Sequence, residues 1–213
     1  NFGPPFPFTF PLIYAKQRGK EPVCRVVRGP VPPPYHGSSG TPHLCGEGFP
    51  HMDDCTFRGE YPFAHIQFTS KKLPVKVQLE AYNPFIPSDP DASGYPAAVL
   101  TYTLTNKTAD PVKTTLAWSL FNAVGGIGEA ARDPHCNVEW GHGGNINDYR
   151  EQGGLRGLFF YSNKWAQDHP RFGSMALTTS ARNVTVQRYW MRAAAFAEPQ
   201  HELWDTFAAT GKL

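Results

Sequence analysis

Long apolar runs are missing from this sequence. No stretch reaches the roughly 18 consecutive apolar residues that a membrane-spanning helix requires. The apolar opening, NFGPPFPFTFPLIYAK, is broken by four prolines and lacks the basic leader of a signal peptide. Charge of one sign is scarce as well. Lys and Arg number 20 against 18 Asp and Glu, a formal net charge of +2, and no basic block stands out. Nucleic acid is therefore not an expected partner. Cysteine is sparse, at Cys24, Cys45, Cys55 and Cys136, with no CxxC pair. That usage fits free thiols in a reducing compartment, with Cys45 and Cys55, which bracket a loop, as the candidate pair if the chain is exported. The expected location is cytoplasmic or peripheral to a membrane rather than secreted. No repeat with a period of roughly 20 to 50 residues is present, which disfavours a propeller or solenoid.

Turn formers and aromatics are plentiful. The 213 residues include 21 prolines and 20 glycines, and 14% are aromatic. Proline at about twice its ordinary share excludes a mostly helical chain, since each interior proline costs a helix about 3 kcal/mol. The length suits a single β-sandwich domain spanning 1–213, able to bury about 70% of its unfolded surface.

The pattern along the chain is that of half-buried strands. Residues 8–15 and 22–28 flank Gln17-Arg18-Gly19-Lys20, a hairpin signal in which Gly19 supplies the left-handed turn position. Residues 29–56, rich in proline and glycine, are expected to form a long irregular loop. Period-two alternation then marks 61–69, 74–82, 97–105 and 112–122, the last two expected to pair as a hairpin across Asn106–Pro111. In 74–82, Val75, Val77, Leu79 and Ala81 point to one face, and Lys76, Gln78 and Glu80 to the other. A glycine-rich loop is expected over 123–154. Three short aromatic or β-branched runs follow, 157–162, 173–180 and 184–190. Only ARDPH, KWAQDHP and EPQHELWDTFAATG hint at helix, the last opening near Pro199 and Glu202 and ending at Gly211. The fold class expected is all-β, a two-layer antiparallel β-sandwich with long irregular loops and little helix.

Several of these segments also resemble a known family. FRGEYPFAHIQF, LPVKVQLEAYNPFIP, the Asp91–Pro96 turn and AAVLTYTLTN resemble the amino-terminal domain of glycoside hydrolase family 116, which includes the non-lysosomal glucosylceramidases, or bile-acid β-glucosidases. WSLFNAVGG (118–126), the strand at Val23–Val27 and the closing HELWDTFAATGKL are similar to later segments of that domain. The likeness covers about 57–126 best. It implies a β-sandwich packed against a carboxy-terminal (α/α)6 barrel that houses the retaining carboxylate pair. On that resemblance the chain is a fragment of a larger enzyme, a non-catalytic support for the barrel and for one wall of the active-site entrance. The substrate would be a β-glucoside or glucosylceramide, and no catalytic residue is carried over to this chain.

The residues leave other chemistries to weigh. Glycoside cleavage with retention needs two carboxyl groups about 5 to 5.5 Å apart. Glu60, Glu80, Asp89 and Asp91 are available, but alternation and turn chemistry give them solvated or capping roles. His36, His43, Cys45, His51, Asp53, Asp54 and Cys55 crowd one loop, yet Cys45 and Cys55 are too far apart for a tight zinc pair. No metal is therefore assigned, and a small metal-dependent hydrolase built on this loop stays an alternative. Gly126-Ile-Gly128-Glu-Ala-Ala131 mimics a dinucleotide fingerprint, but Pro134 stops the helix that such a site needs, so no cofactor is expected. Among the aromatics Tyr61, Tyr82, Tyr95, Trp118, Trp140, Trp165, Trp190 and Trp204, the core claims most. Trp140, with Glu139, His142 and Asn145 in the loop NVEWGHGGN, is the best candidate for a surface that reaches a sugar or a partner domain. A free-standing carbohydrate-binding module is the second alternative.

Overall fold

The structure is a computed structural model that describes residues 8–30, 46, 48–125, 144–190 and 198–213, with the backbone alone at Glu198. The strands are β1 (Phe10–Gln17), β2 (Val23–Val26), β3 (Asp54–Glu60), β4 (Phe63–Thr69), β5 (Val75–Tyr82), β6 (Val99–Asn106), β7 (Val112–Ser119), β8 (Asn145–Gln152), β9 (Leu155–Ser162) and β10 (Ser174–Thr179). The helices are α1 (Pro90–Ser93) and α2 (Glu198–Thr210). The fold is all-β, with antiparallel pairing inside the sheets, as the alternation required. Two compact units emerge: residues 11–34 with 49–117, and residues 1–10, 35–48 and 118–213.

The first unit is a two-layer sandwich. One sheet runs β2-β1-β7 and the other β3-β4-β5-β6. Ile13 and Ala15 of β1 meet Phe68, Val75 and Val77 of β4 and β5 in one buried core, closed by Val27, Met52 and Leu73. Full burial of each large apolar side chain here contributes about 1.5–3 kcal/mol. The predicted hairpin forms, pairing Leu12 with Val26 and Ala15 with Val23, and Gly19 takes a φ of 73° in its turn. The assigned facing also holds. Val75 and Val77 are buried while Lys76 and Glu80 are exposed.

Four expectations for the first unit's neighbours in sequence need correction. Asn106–Pro111 does not join a hairpin. β6 pairs with β5, whereas β7 joins β1 in the other sheet, so the turn crosses between layers. The Asn106 amide builds that crossing: its Oδ1 accepts from Thr108 N (2.9 Å) and Thr108 Oγ1 (2.9 Å), and its Nδ2 donates to Asp110 O (2.8 Å). Lys107 N donates to Pro74 O and Arg18 N to Pro111 O, which fixes the turn against both layers. The loop expected over 29–56 gives way to β3 from Asp54 onward. β3 is an edge strand with all seven residues exposed, so it carries no inward alternation to read. Between β5 and β6, where no helix was expected, the chain forms the short helix α1, and the alternating run 112–122 stops as a strand at Ser119.

The second unit carries the sheet β10-β9-β8 and α2. Gly153 and Gly154, both at positive φ, turn β8 back on β9 with Asn145 opposite Ser162. The glycine-rich loop expected over 123–154 therefore ends at β8, whose sequence NINDYREQ offers almost no apolar signal. Gly157 is required where β9 passes β10, since an added Cβ would collide with the Leu177 carbonyl oxygen. Helix α2 begins at the predicted proline and buries Gln200, Leu203 and Phe207 at the spacing of one helical face. Gly211 closes it at φ 68°, its N–H donating to Phe207 O at 2.8 Å. Residues 184–190 are not a strand. Their side chains turn to the helix and carboxy terminus instead, with Gln187 Nε2 donating to Glu202 Oε2 (3.2 Å) and Thr185 Oγ1 accepting from Leu213 N (3.2 Å). KWAQDHP forms turns rather than helix, and ARDPH lies outside the described residues.

Candidate functional site

Of the four residues singled out as a ligand- or partner-facing loop, Glu139, Trp140 and His142 lie outside the described residues. Asn145 opens β8, and its Nδ2 donates to Asn122 O (3.2 Å) and Val124 O (2.8 Å). Two more amides continue the network. Asn122 Nδ2 donates to Asn147 Oδ1 (2.8 Å), and Asn147 Nδ2 donates to Arg188 O (2.7 Å). This arrangement spends amide donors on backbone carbonyls, satisfying a loop that has no sheet partner of its own. Trp165 joins it through Nε1–H to Gly125 O at 2.9 Å, with the His169 ring stacked on its face at 4.0 Å. Asn145 thereby ties the 122–125 segment to β8.

The four candidate carboxylates take capping and surface positions. Asp89 caps α1, its side chain accepting from Ala92 N at 2.8 Å, and Asp91 lies in the first turn of that helix. Glu60 and Glu80 flank His65 on the outer face of the four-stranded sheet, each 3.7 Å from a different ring nitrogen, with Arg58 3.5 Å from Glu60. The face is open, and Glu60 and Glu80 side chains are 62% and 48% exposed. Ion pairs in such water contribute about 0–1 kcal/mol, and nothing there excludes solvent or tunes an acid against a nucleophile.

The dense ligand loop is only partly described, since His36, His43 and Cys45 lie outside the described residues. Among the described residues no group of three His, Cys, Asp or Glu side chains is placed to hold a metal ion. Cys55 is exposed and free. Cys24 is buried, and desolvation pushes its thiol up to about 12, which keeps it protonated and unreactive at neutral pH. The dinucleotide-like 126–131 segment also lies outside the described residues.

A different feature stands out in the sandwich unit. Eight of the eleven large apolar side chains that the described residues expose belong to one half of the four-stranded sheet and its loops. Tyr61 is 82% exposed, Tyr95 66% and Phe57 65%. The register sets Glu60, Phe63, Tyr82 and Val99 side by side across β3, β4, β5 and β6, at the end of the sheet where Tyr61 joins β3 to β4; Phe57 pairs with Ile66 farther along and faces the other side of the sheet. Tyr61 packs edge-on against Phe85 at 5.1 Å, and Phe63 against Tyr82 at 5.3 Å. Ile86 follows Phe85 between Pro84 and Pro87, on backbone that cannot join the sheet. Exposed apolar side chains scattered singly need no explanation, but a group confined to one end marks a contact surface. Sequence reasoning named Tyr61, Tyr82 and Tyr95 as possible sugar platforms and missed Phe57, Phe63 and Phe85. The usable signal was Phe85-Ile86 stranded between two prolines.

Fold and surface together define an all-β domain of sandwich type in which Asp89 caps a helix and Glu60 and Glu80 lie on an open sheet face. Comparison with known proteins gives the family. The model described as beta-glucosidase 2, glycosyl-hydrolase family 116 N-term matches residues 9–213. The chain belongs to that family and represents its amino-terminal domain. No curated protein matches the chain. Among the described residues no helix is long and apolar enough to cross a membrane.

Proposed function

We propose that this domain is a non-catalytic support in a retaining β-glucosidase, and that it rests against a helical catalytic barrel of the same protein. Within the sandwich, the surface for that contact is the apolar end built by Tyr61, Phe63, Phe85, Tyr95 and their neighbours. The observation that carries the reading is this concentration of exposed aromatics in a domain of the glycosyl-hydrolase family 116 amino-terminal type. The barrel would supply the acid and the nucleophile and form the covalent glycosyl intermediate. The domain would supply a rigid wall to position it, and the substrate would be a β-glucoside such as glucosylceramide.

The test uses the full-length protein carrying both parts. Tyr61→Asp with Phe85→Asp leaves the sandwich core untouched but places charge in the contact. The expected result is a lower thermal midpoint, faster proteolytic release of the domain and reduced turnover. A full-length variant identical to the parent in all three would remove this surface from the proposal. The 213-residue chain alone is expected to leave an aryl β-glucoside intact. Turnover that disappears when one of its own carboxylates is changed would overturn the supporting role itself.

A further inference from the structure

A second surface of the sandwich unit has a different chemistry. After the loop, Pro50–Met52 runs alongside β2: Val26 N donates to Pro50 O at 2.9 Å, His51 bridges Val26, and Met52 N donates to Arg28 O at 3.1 Å. Asp53 N then donates to Thr69 O at 2.8 Å, which hands the chain over to the four-stranded sheet. This strut and the β4–β5 turn border an open cleft of about 470 Å³ lined by Arg25, Pro50, His51, Asp53, Lys71 and Lys72. Three fixed cations stand there against one carboxylate.

That carboxylate is already engaged. Asp53 Oδ2 accepts the backbone N–H of Lys71 at 2.6 Å. Among the described residues no carboxylate lies within ion-pair distance of the Lys71 or Lys72 ammonium group. Arg25 uses Nη1 on the carbonyl of Cys24, at 2.8 Å, and guanidinium keeps further donors beyond that bond. The adjoining turn adds Lys107, whose Nζ donates to Ser70 O at 3.1 Å. The whole chain carries a formal charge of only +2, so this concentration of cations is local rather than a reflection of composition. Lys and Arg side chains that line one partly apolar recess raise the positive potential there. They offer the charge-assisted donors that a phosphate oxygen accepts best.

We propose that this cleft binds a phosphate group, with Lys71 and Lys72 as the principal charges and Arg25 as the directional donor. The inference does not depend on the supporting role above. Two sources of phosphate are separable. The purified chain is titrated with inorganic phosphate and followed by backbone amide shifts at Arg25, Asp53 and Lys71. In parallel it is sedimented with vesicles of phosphatidylcholine alone or containing phosphatidic acid. Shifts confined to the cleft on phosphate addition support a soluble ligand, and sedimentation only with phosphatidic acid supports a lipid headgroup. In either arm Lys71→Glu with Lys72→Glu is expected to weaken binding at least tenfold, whereas Lys113→Glu, exposed on β7, leaves it unchanged. Both lysines are exposed, so the double variant keeps its fold, which circular dichroism checks. No binding in either arm, or equal binding by the double variant, would overturn the proposal.

Discussion

The two compact units spend their apolar residues differently. In the sandwich, two sheets face each other, and Ile13, Ala15, Val75 and Val77 fill the space between them with little polar help. In the second unit Phe160, Leu203 and Phe207 are buried, but the loop beside β8 is secured by the Asn122, Asn145 and Asn147 amides. The contrast shows two ways to satisfy a backbone. A strand within a sheet finds its partners in the ladder, whereas a loop without a ladder must be met by side-chain amides whose own desolvation has to be matched.

This comparison can be broken by substitution. The largest effects belong to the buried side chains. Phe160→Ala should cost about 3–5 kcal/mol and Ile13→Ala about 2–5 kcal/mol in chemical denaturation, because both side chains are fully buried and truncation leaves a cavity. Losses below about 1 kcal/mol in both would deny that either unit has a packed core. Smaller effects sharpen the polar side of the contrast. Asn145→Ala removes donors to two carbonyls and should cost about 1–3 kcal/mol, with amide exchange quickening around 122–125. If exchange there stays as slow as in the parent, the amide is not what holds the segment. Smallest is Asp89→Ala, which uncaps the four-residue α1 and should cost about 1 kcal/mol. A larger global loss would mean that the 83–96 loop supports the sandwich rather than merely decorating it.

The same contrast explains what could be read from the chain. β4, β5 and β6 were legible because one face of each packs on the core, which imposes the alternation, whereas β1, buried along nearly its whole length, was legible from the Gly19 turn that follows it. The helix α2 was legible from Pro199 and Gly211, whose backbone limits punctuate both ends. β3 escaped because an edge strand exposed along its length needs no apolar face, and β8 because asparagines occupy positions where apolar residues would have signalled a strand. The Asn106 crossing looked like a hairpin turn because a short polar turn between alternating runs has the same sequence signature in both cases. Partner choice is settled by which strands already have neighbours. The family likeness pointed to the right domain, while the loop chosen for ligand contact fell largely outside the described residues. The apolar end of the sandwich was hidden because exposure depends on how far a sheet extends beyond its covering layer.

The layer crossing at Asn106 also has a kinetic meaning. β1 leaves the ribosome about a hundred residues ahead of its neighbour β7. Until then the amino-terminal hairpin has one side of its ladder unmet, and the loop to be closed carries a large entropic penalty. Assembly of that sheet must wait for nearly the whole sandwich unit to leave the ribosome. Meanwhile the hairpin β4–β5 and its partner β6 need only local closure and are free to form ahead of it.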